Sequence, residues 1–302
     1  IAAAGGHHVL MIGPPGAGKT MLARRLPTIL PPMDDDEALE YAKVSSVSGR
    51  PGGMDSLRDR PFRAPHHSAS DAGLIGGGRN VQPGEITLAH NGVLFLDEMT
   101  EFRRNVLETL RQPLEEGAIV IARAGARVRY PARFQLVAAM NPCPCGHGSA
   151  SRGRCSCTPL QIKRYLSKVS GPLLDRIGVF LPVMPVPPEQ LAGGGDELSS
   201  ESIRERVARA VAIQRRRYEG VAATGRNADL TLSAAKRFCG MEAGAAGLLA
   251  GAQKSLMFSA RARRNIVQVA RTIADLEGSE TIGADHMAEA VQYRVPRLLD
   301  CP

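Results

Sequence analysis

Residues 13 to 20 read Gly-Pro-Pro-Gly-Ala-Gly-Lys-Thr, a complete G-x-x-x-x-G-K-[ST] phosphate loop, and no other part of the chain narrows its fold so far. The motif requires a strand before it and a helix after it. His7-His8-Val9-Leu10-Met11-Ile12 is a short β-type run, and Met21-Leu22-Ala23-Arg24-Arg25-Leu26 continues as helix, so the order is met. Glycines let the backbone curl until successive N–H groups face phosphate oxygens, and the helix behind them points the positive end of its dipole the same way. Gly13, Pro15, Gly16, Ala17, Gly18, Lys19, Thr20 and Met21 are the expected nucleotide contacts. Lys19 would reach the β- and γ-phosphates of ATP, and Thr20 would offer its hydroxyl to Mg²⁺.

The second half of such a site is the apolar run Val93-Leu94-Phe95-Leu96 ending in Asp97-Glu98. Asp97 is placed to hold the Mg²⁺ shell, and Glu98 to polarise an attacking water. An acidic pair here could instead cap the next helix. Phe134 to Met140 is another buried strand, and Asn141 at its tip can hydrogen-bond the attacking water or the γ-phosphate, unless Asn141-Pro142 only starts a turn.

These segments predict an α/β protein, a phosphate-loop core with a parallel sheet over residues 1–188, followed by a small, separate all-α lid domain over 201–302. Pro185-Val186-Pro187-Pro188 and Gly193-Gly194-Gly195 mark the boundary, with 189–200 as linker. An amphipathic helix is expected from Arg103 to Leu114, and in the all-α lid a helix from Glu201 to Tyr218, shorter ones from Ser233 and Glu242, then helices from Ala260 and Ala284. The Gly/Pro/Arg-rich stretch 50–84 is too long for a simple connection and reads as an insertion. Its His66-His67 pair, lacking further ligands nearby, reads as a loop contact rather than a metal site.

Residues 117–131 alternate about a glycine-containing turn and read as a β-hairpin. Arg123, Arg127 and Arg129 project from it, a shape suited to a phosphate backbone, though charges also protect exposed strand edges. The net charge of +8 is carried mainly by arginine, since lysine occurs only six times, and favours phosphate-bearing partners. No apolar run approaches the ~20 residues of a membrane span and no leader pattern opens the chain, so a cytoplasmic location is expected. The start at Ile1, almost directly in the first strand, suggests a piece of a longer protein.

The blocks Gly13 to Thr20, Phe62-Arg63-Ala64-Pro65-His66-His67, Gly92 to Glu98, Met140 to Gly146 and Ser170 to Ile177 resemble the magnesium-chelatase-like AAA+ ATPases of the ComM/YifB type. The resemblance implies an ATPase ring, a hexamer, that acts on DNA as a branch-migration helicase in recombination during natural transformation. It also implies an N-terminal domain similar to the Lon protease fold. Carried over by resemblance, Lys19 and Thr20 bind nucleotide and Mg²⁺, Asp97 and Glu98 form the acidic pair, and Asn141 senses the γ-phosphate. Arg176 matches the arginine finger and Arg261 the second sensor on the nucleotide, with Arg263 and Arg264 close enough to compete. For Arg176 the plainer alternative is a surface ion pair with Asp175.

Cys143-x-Cys145 and Cys155-x-Cys157 flank a basic, glycine-rich loop over 142–158. Four thiolates can close a tetrahedral Zn²⁺ site, and a free-thiol loop is the alternative. Three other activities fit parts of this pattern: the motor subunit of a metal chelatase, a nucleotide-switched regulatory ATPase, and a sigma-54-type activator. The last is expected to carry Gly-Ala-Phe-Thr-Gly-Ala in its insertion, where this chain has Ala64-Pro65-His66-His67-Ser68.

Overall fold

A computed structural model describes residues 1–49, 58–77, 81–123, 126–148, 155–186, 198–221 and 225–294, without the side chains of Arg123 and Ala126. The expected linker 189–200 lies almost wholly outside the described residues, as do parts of the 50–84 stretch and of the cysteine loop. Among the described residues no helix is long and apolar enough to cross a membrane.

Nine strands are present among them: β1 (Val9–Ile12), β2 (Phe62–Arg63), β3 (Gly76–Gly77), β4 (Gln82–Pro83), β5 (Val93–Leu96), β6 (Ala118–Arg123), β7 (Ala126–Pro131), β8 (Gln135–Met140) and β9 (Val179–Pro182). Five of them form one sheet in the order β2-β5-β8-β1-β9, with every pairing parallel. Such a sheet must be covered on both faces, which explains the unbroken apolar runs of β1 and β5. Alternate side chains then enter different cores. Val9, Met11, Val93, Phe95, Val137 and Ala139 join one apolar cluster, while Leu10, Ile12, Leu94, Leu96, Leu136 and Ala138 join the other.

The second of these clusters is closed by Leu107, Leu110, Ile119 and Leu173. The first continues without a gap into the C-terminal helices through Val207, Val211, Ile266 and Ile273. Helix Ser200–Arg217 packs on helix Lys19–Ile29 behind the phosphate loop, so the helical region is a layer on one face of the sheet. A buried polar network ties the two together. His7, two residues before β1, pairs through Nε2 with Thr272 Oγ1 at 2.7 Å. Asn227 donates to Thr272 Oγ1 and to Asp275, which also accepts from Arg217 and Arg271. Burial lowers the His7 imidazole to about 3, so it is neutral at physiological pH.

Two expectations differ from what is observed. The stretch 50–84 is not wholly an insertion, because β2 inside it pairs with Val93 and Leu94 as the edge of the main sheet. The two residues of β2 are too few to show a period. The helix expected over Arg103–Leu114 is broken into Arg104–Thr109 and Pro113–Glu116, since Pro113 has no N–H to extend the first helix and instead opens the second.

Candidate functional site

In a parallel sheet all carboxyl ends lie on one edge, and the register here brings three of them together. Ile12 of β1 aligns with Met140 of β8, and Leu96 of β5 with Ala138. The residues that follow, Gly13, Asn141 and Asp97, therefore emerge side by side. Gly13 passes so close to β9 that a Cβ there would lie 2.0 Å from the Val183 carbonyl oxygen. Gly16 and Gly18 have φ of +76° and +85°, the left-handed region open to glycine. Helix Lys19–Ile29 starts at Gly18 with no side-chain cap, which leaves its first N–H groups for an anion. Ala17 is buried, whereas Pro15 and Met21 are exposed around the loop.

Lys19 is the centre of this edge. Its ammonium donates to the Gly13 carbonyl at 2.6 Å, the Pro14 carbonyl at 2.8 Å and Asn141 Oδ1 at 3.1 Å. Burial lowers its pKa, and the Asp97 and Glu98 carboxylates oppose that shift. Thr20 Oγ1 donates to Asp97 Oδ2 at 2.7 Å, so the hydroxyl and the carboxylate expected to share Mg²⁺ are already in contact. This donor set of hydroxyl and carboxylate oxygens suits a hard divalent cation.

Glu98 is half exposed and sits at φ +49°, a conformation that costs a non-glycine residue about 1 kcal/mol or more and clusters at functional positions. Its N–H donates to Asp97 Oδ1 at 3.0 Å. Beside it lies a residue that sequence reasoning had not placed here: His67 Nδ1 is 3.6 Å from Glu98 Oε2, an ion-pair distance rather than a hydrogen bond. His67 thus makes a loop contact to Glu98, whereas His66 Nδ1 pairs with Ser68 within its own loop.

Arg176 and Arg261 lie elsewhere. Arg176 precedes β9 by three residues, and Gly178 and Val179 donate to the His8 carbonyl, at the amino end of β1. The ends of β1 are separated by its four residues, roughly 13 Å at ~3.3 Å each, so Arg176 is at the opposite edge from the phosphate loop. Its guanidinium binds Glu115 and the Pro172 carbonyl. Arg261 donates to the other Glu115 oxygen at 2.6 Å. One carboxylate thereby gathers both expected arginines, and their charges lower its pKa, the Arg176 hydrogen bond most. Asp175 pairs with Arg294 at 2.7 Å, not with Arg176. Glu115 lies 61 residues from Arg176 and 146 from Arg261, so no local pattern could have flagged it. Burial lowers the pKa of the neighbouring Arg264.

The hairpin β6–β7 forms as expected, with Arg127 opposite Ala122 and Arg129 opposite Val120. Both arginines are exposed, and neither has a carboxylate partner among the described residues. Tyr130, on the other side of the strand, donates to the Val81 carbonyl at 2.5 Å and anchors the ribbon. The side chain of Arg123 lies outside the described residues. Cys143, Cys145, Cys155 and Cys157 converge, with their sulfurs all within 4.8 Å of one another. Burial raises the pKa of the Cys143 thiol, while the His147 backbone N–H lowers that of Cys145.

Comparison with known proteins accords with this geometry. The family model described as "Magnesium chelatase, subunit ChlI" matches residues 1–191, and the one described as "Magnesium chelatase, subunit ChlI C-terminal" matches residues 197–294. The chain is 49% identical over 295 residues to competence protein ComM of Haemophilus influenzae, covering 97% of this chain and 57% of that protein. It is 46% identical over 304 residues to the uncharacterized protein YifB of Escherichia coli, covering 99% and 58% respectively. A magnesium-chelatase 67 kDa subunit of Chlorobaculum parvum is 28% identical over 171 residues, 57% of this chain and 22% of that one. The chain thus spans less than two thirds of the length of each of these relatives.

Proposed function

The chain belongs to the magnesium chelatase subunit ChlI family, in its ComM and YifB branch, and from that premise we propose that it is the ATP-hydrolysing motor of a ring acting on DNA. The observation that carries this reading is the meeting of Lys19, Thr20, Asp97 and Asn141 at the carboxyl edge. In this reading the loop N–H groups and Lys19 bind the triphosphate, and Thr20 with Asp97 holds Mg²⁺, which neutralises charge on the transferring phosphate when bound. Glu98 orients the attacking water and takes up its proton, and Asn141 fixes the γ-phosphate against Lys19. His67, at its 3.6 Å distance, restrains the Glu98 carboxylate.

Assembly follows from where the arginines lie. Arg176 is too far from its own phosphate loop to serve it, so it would act on the site of an adjacent copy as an arginine finger. Because Arg261 shares Glu115 with Arg176, this reading has it act on that same adjacent site rather than on its own. A closed ring of identical subunits, a hexamer in this proposal, satisfies every site. The exposed Arg127 and Arg129, with Arg123 on the same ribbon, are the proposed DNA contacts, and branch migration in the cytoplasm during uptake and recombination of DNA is the proposed task.

A second reading, the motor subunit of a metal chelatase, has the family description in its favour. ATPase rates with single-stranded, duplex and forked DNA separate the two. The DNA-motor reading expects turnover to rise severalfold with at least one of them and the rise to vanish at high salt. A rate indifferent to all three would contradict it and favour a protein partner.

A further inference from the structure

The cysteine loop does more than hold four thiols close. Cys143 and Cys145 sulfurs are 3.3 Å apart, and each is 3.7 or 3.6 Å from Cys155. Four thiolates on one tetrahedral Zn²⁺, with Zn–S of ~2.3 Å, stand about 3.8 Å apart. A disulfide would need ~2.05 Å, and these cysteines are free. The Gly148 N–H donates to Cys143 Sγ at 3.2 Å and the His147 N–H faces Cys145 Sγ, the backbone pattern that supports ligating sulfur. Between the two cysteine pairs the sequence Gly-His-Gly-Ser-Ala-Ser-Arg-Gly-Arg offers no large apolar side chain to draw the ends together. An ion that binds the folded arrangement supplies that free energy.

The same short segment touches the phosphate-binding edge at two points. Asn141 accepts from Lys19, and five residues later Gly146, at φ +87°, lies so close to Pro15 that a Cβ would be 2.7 Å from its Cδ. Beyond Cys157, Thr158 caps helix Pro159–Leu166, whose Tyr165 hydroxyl accepts from Thr100 at 2.6 Å, two residues after Glu98. Closing the four sulfurs on one centre therefore fixes the backbone between Asn141 and Pro15 on one side and the acidic pair on the other.

We propose that Cys143, Cys145, Cys155 and Cys157 bind one Zn²⁺ as thiolates, releasing their protons, and that this ion positions the phosphate loop, so that metal occupancy controls nucleotide affinity. The coupling rests on the reading of Gly13–Thr20 as the nucleotide site, whereas the metal site does not.

The test uses the chain purified without added metal. Zinc content near one per chain, and the visible absorption of a tetrahedral thiolate centre after Co²⁺ exchange, are expected. A stoichiometry near zero with no Co²⁺ band overturns the site. Binding of a fluorescent ATP analogue with Mg²⁺ should then weaken about tenfold or more on chelation and recover with Zn²⁺. Equal affinity in loaded and stripped protein of equal helicity overturns the coupling. Cys157→His keeps a zinc ligand and should restore both metal and nucleotide binding that Cys157→Ser loses. Gly146→Ala leaves all four thiols in place but collides with Pro15, so it should retain zinc yet bind nucleotide more weakly, and unchanged affinity there overturns the proposed contact route. Failure of the zinc-loaded parent to bind the analogue at all would overturn the nucleotide reading, with the Co²⁺ band still reporting the metal site.

Discussion

The two edges of the parallel sheet carry opposite kinds of incompleteness. At the carboxyl edge Lys19 pairs with Asn141 at 3.1 Å and Thr20 with Asp97 at 2.7 Å, and helix Lys19–Ile29 opens there without a side-chain cap. At the amino edge Arg176 and Arg261 share one carboxylate, Glu115, and reach no phosphate-binding element of their own chain. One edge holds the loop amides, Lys19 and the Asp97–Glu98 acidic pair, and the other holds two guanidinium groups gathered on a single carboxylate. In the proposed ring, stacking the amino edge of one copy on the carboxyl edge of the next would complete both, and the separation across the sheet is the reason a neighbour is invoked.

The comparison can be broken most forcefully at Arg176. Arg176→Ala is expected to lower ATP turnover by about 10³- to 10⁵-fold with ATP affinity within about threefold of the parent, measured by steady-state hydrolysis and analogue binding. Glu98→Gln, at the other edge, should reduce turnover by about 10²- to 10⁴-fold and retain ATP binding, and undiminished turnover would remove Glu98 as the base. The hairpin should answer to neither edge. Replacing Arg123, Arg127 and Arg129 by Ala should flatten the log–log salt dependence of DNA binding by about two to three units and leave ATP binding intact, which filter binding across salt concentrations would show. The smallest effect is expected from Glu115→Gln. Because Glu115 is half exposed, its loss should change stability by no more than ~1 kcal/mol and turnover by less than about tenfold, as checked by denaturant melts and ATPase assay.

How far the site could be read from sequence follows the same division. The carboxyl edge is written in contiguous motifs, Gly13 to Thr20 and Val93 to Glu98, because strand, loop and helix are consecutive and each function needs a particular residue at a particular offset. Asn141 was legible as the residue ending a strand-like run. The amino edge was legible only as individual arginines. Their common partner Glu115 sits on a four-residue helix opened by Pro113, inside a segment whose spacing predicted one longer helix. The His67–Glu98 contact and strand β2 were hidden likewise, since two residues paired across the sheet carry no period. Long-range packing put these groups together, and local pattern does not encode it.

The central claim is that each working site draws on two copies of the chain. Mixing two variants, Arg176→Ala and Lys19→Ala, tests it most directly, since each alone should be nearly inactive in a steady-state ATPase assay. In a mixed ring the intact phosphate loop of an Arg176→Ala subunit meets the intact Arg176 of a Lys19→Ala neighbour. Activity well above the sum of the separate variants is the predicted result. A mixture no more active than that sum, with co-assembly shown by crosslinking, or an Arg176→Ala protein as active alone as the parent, would contradict the account.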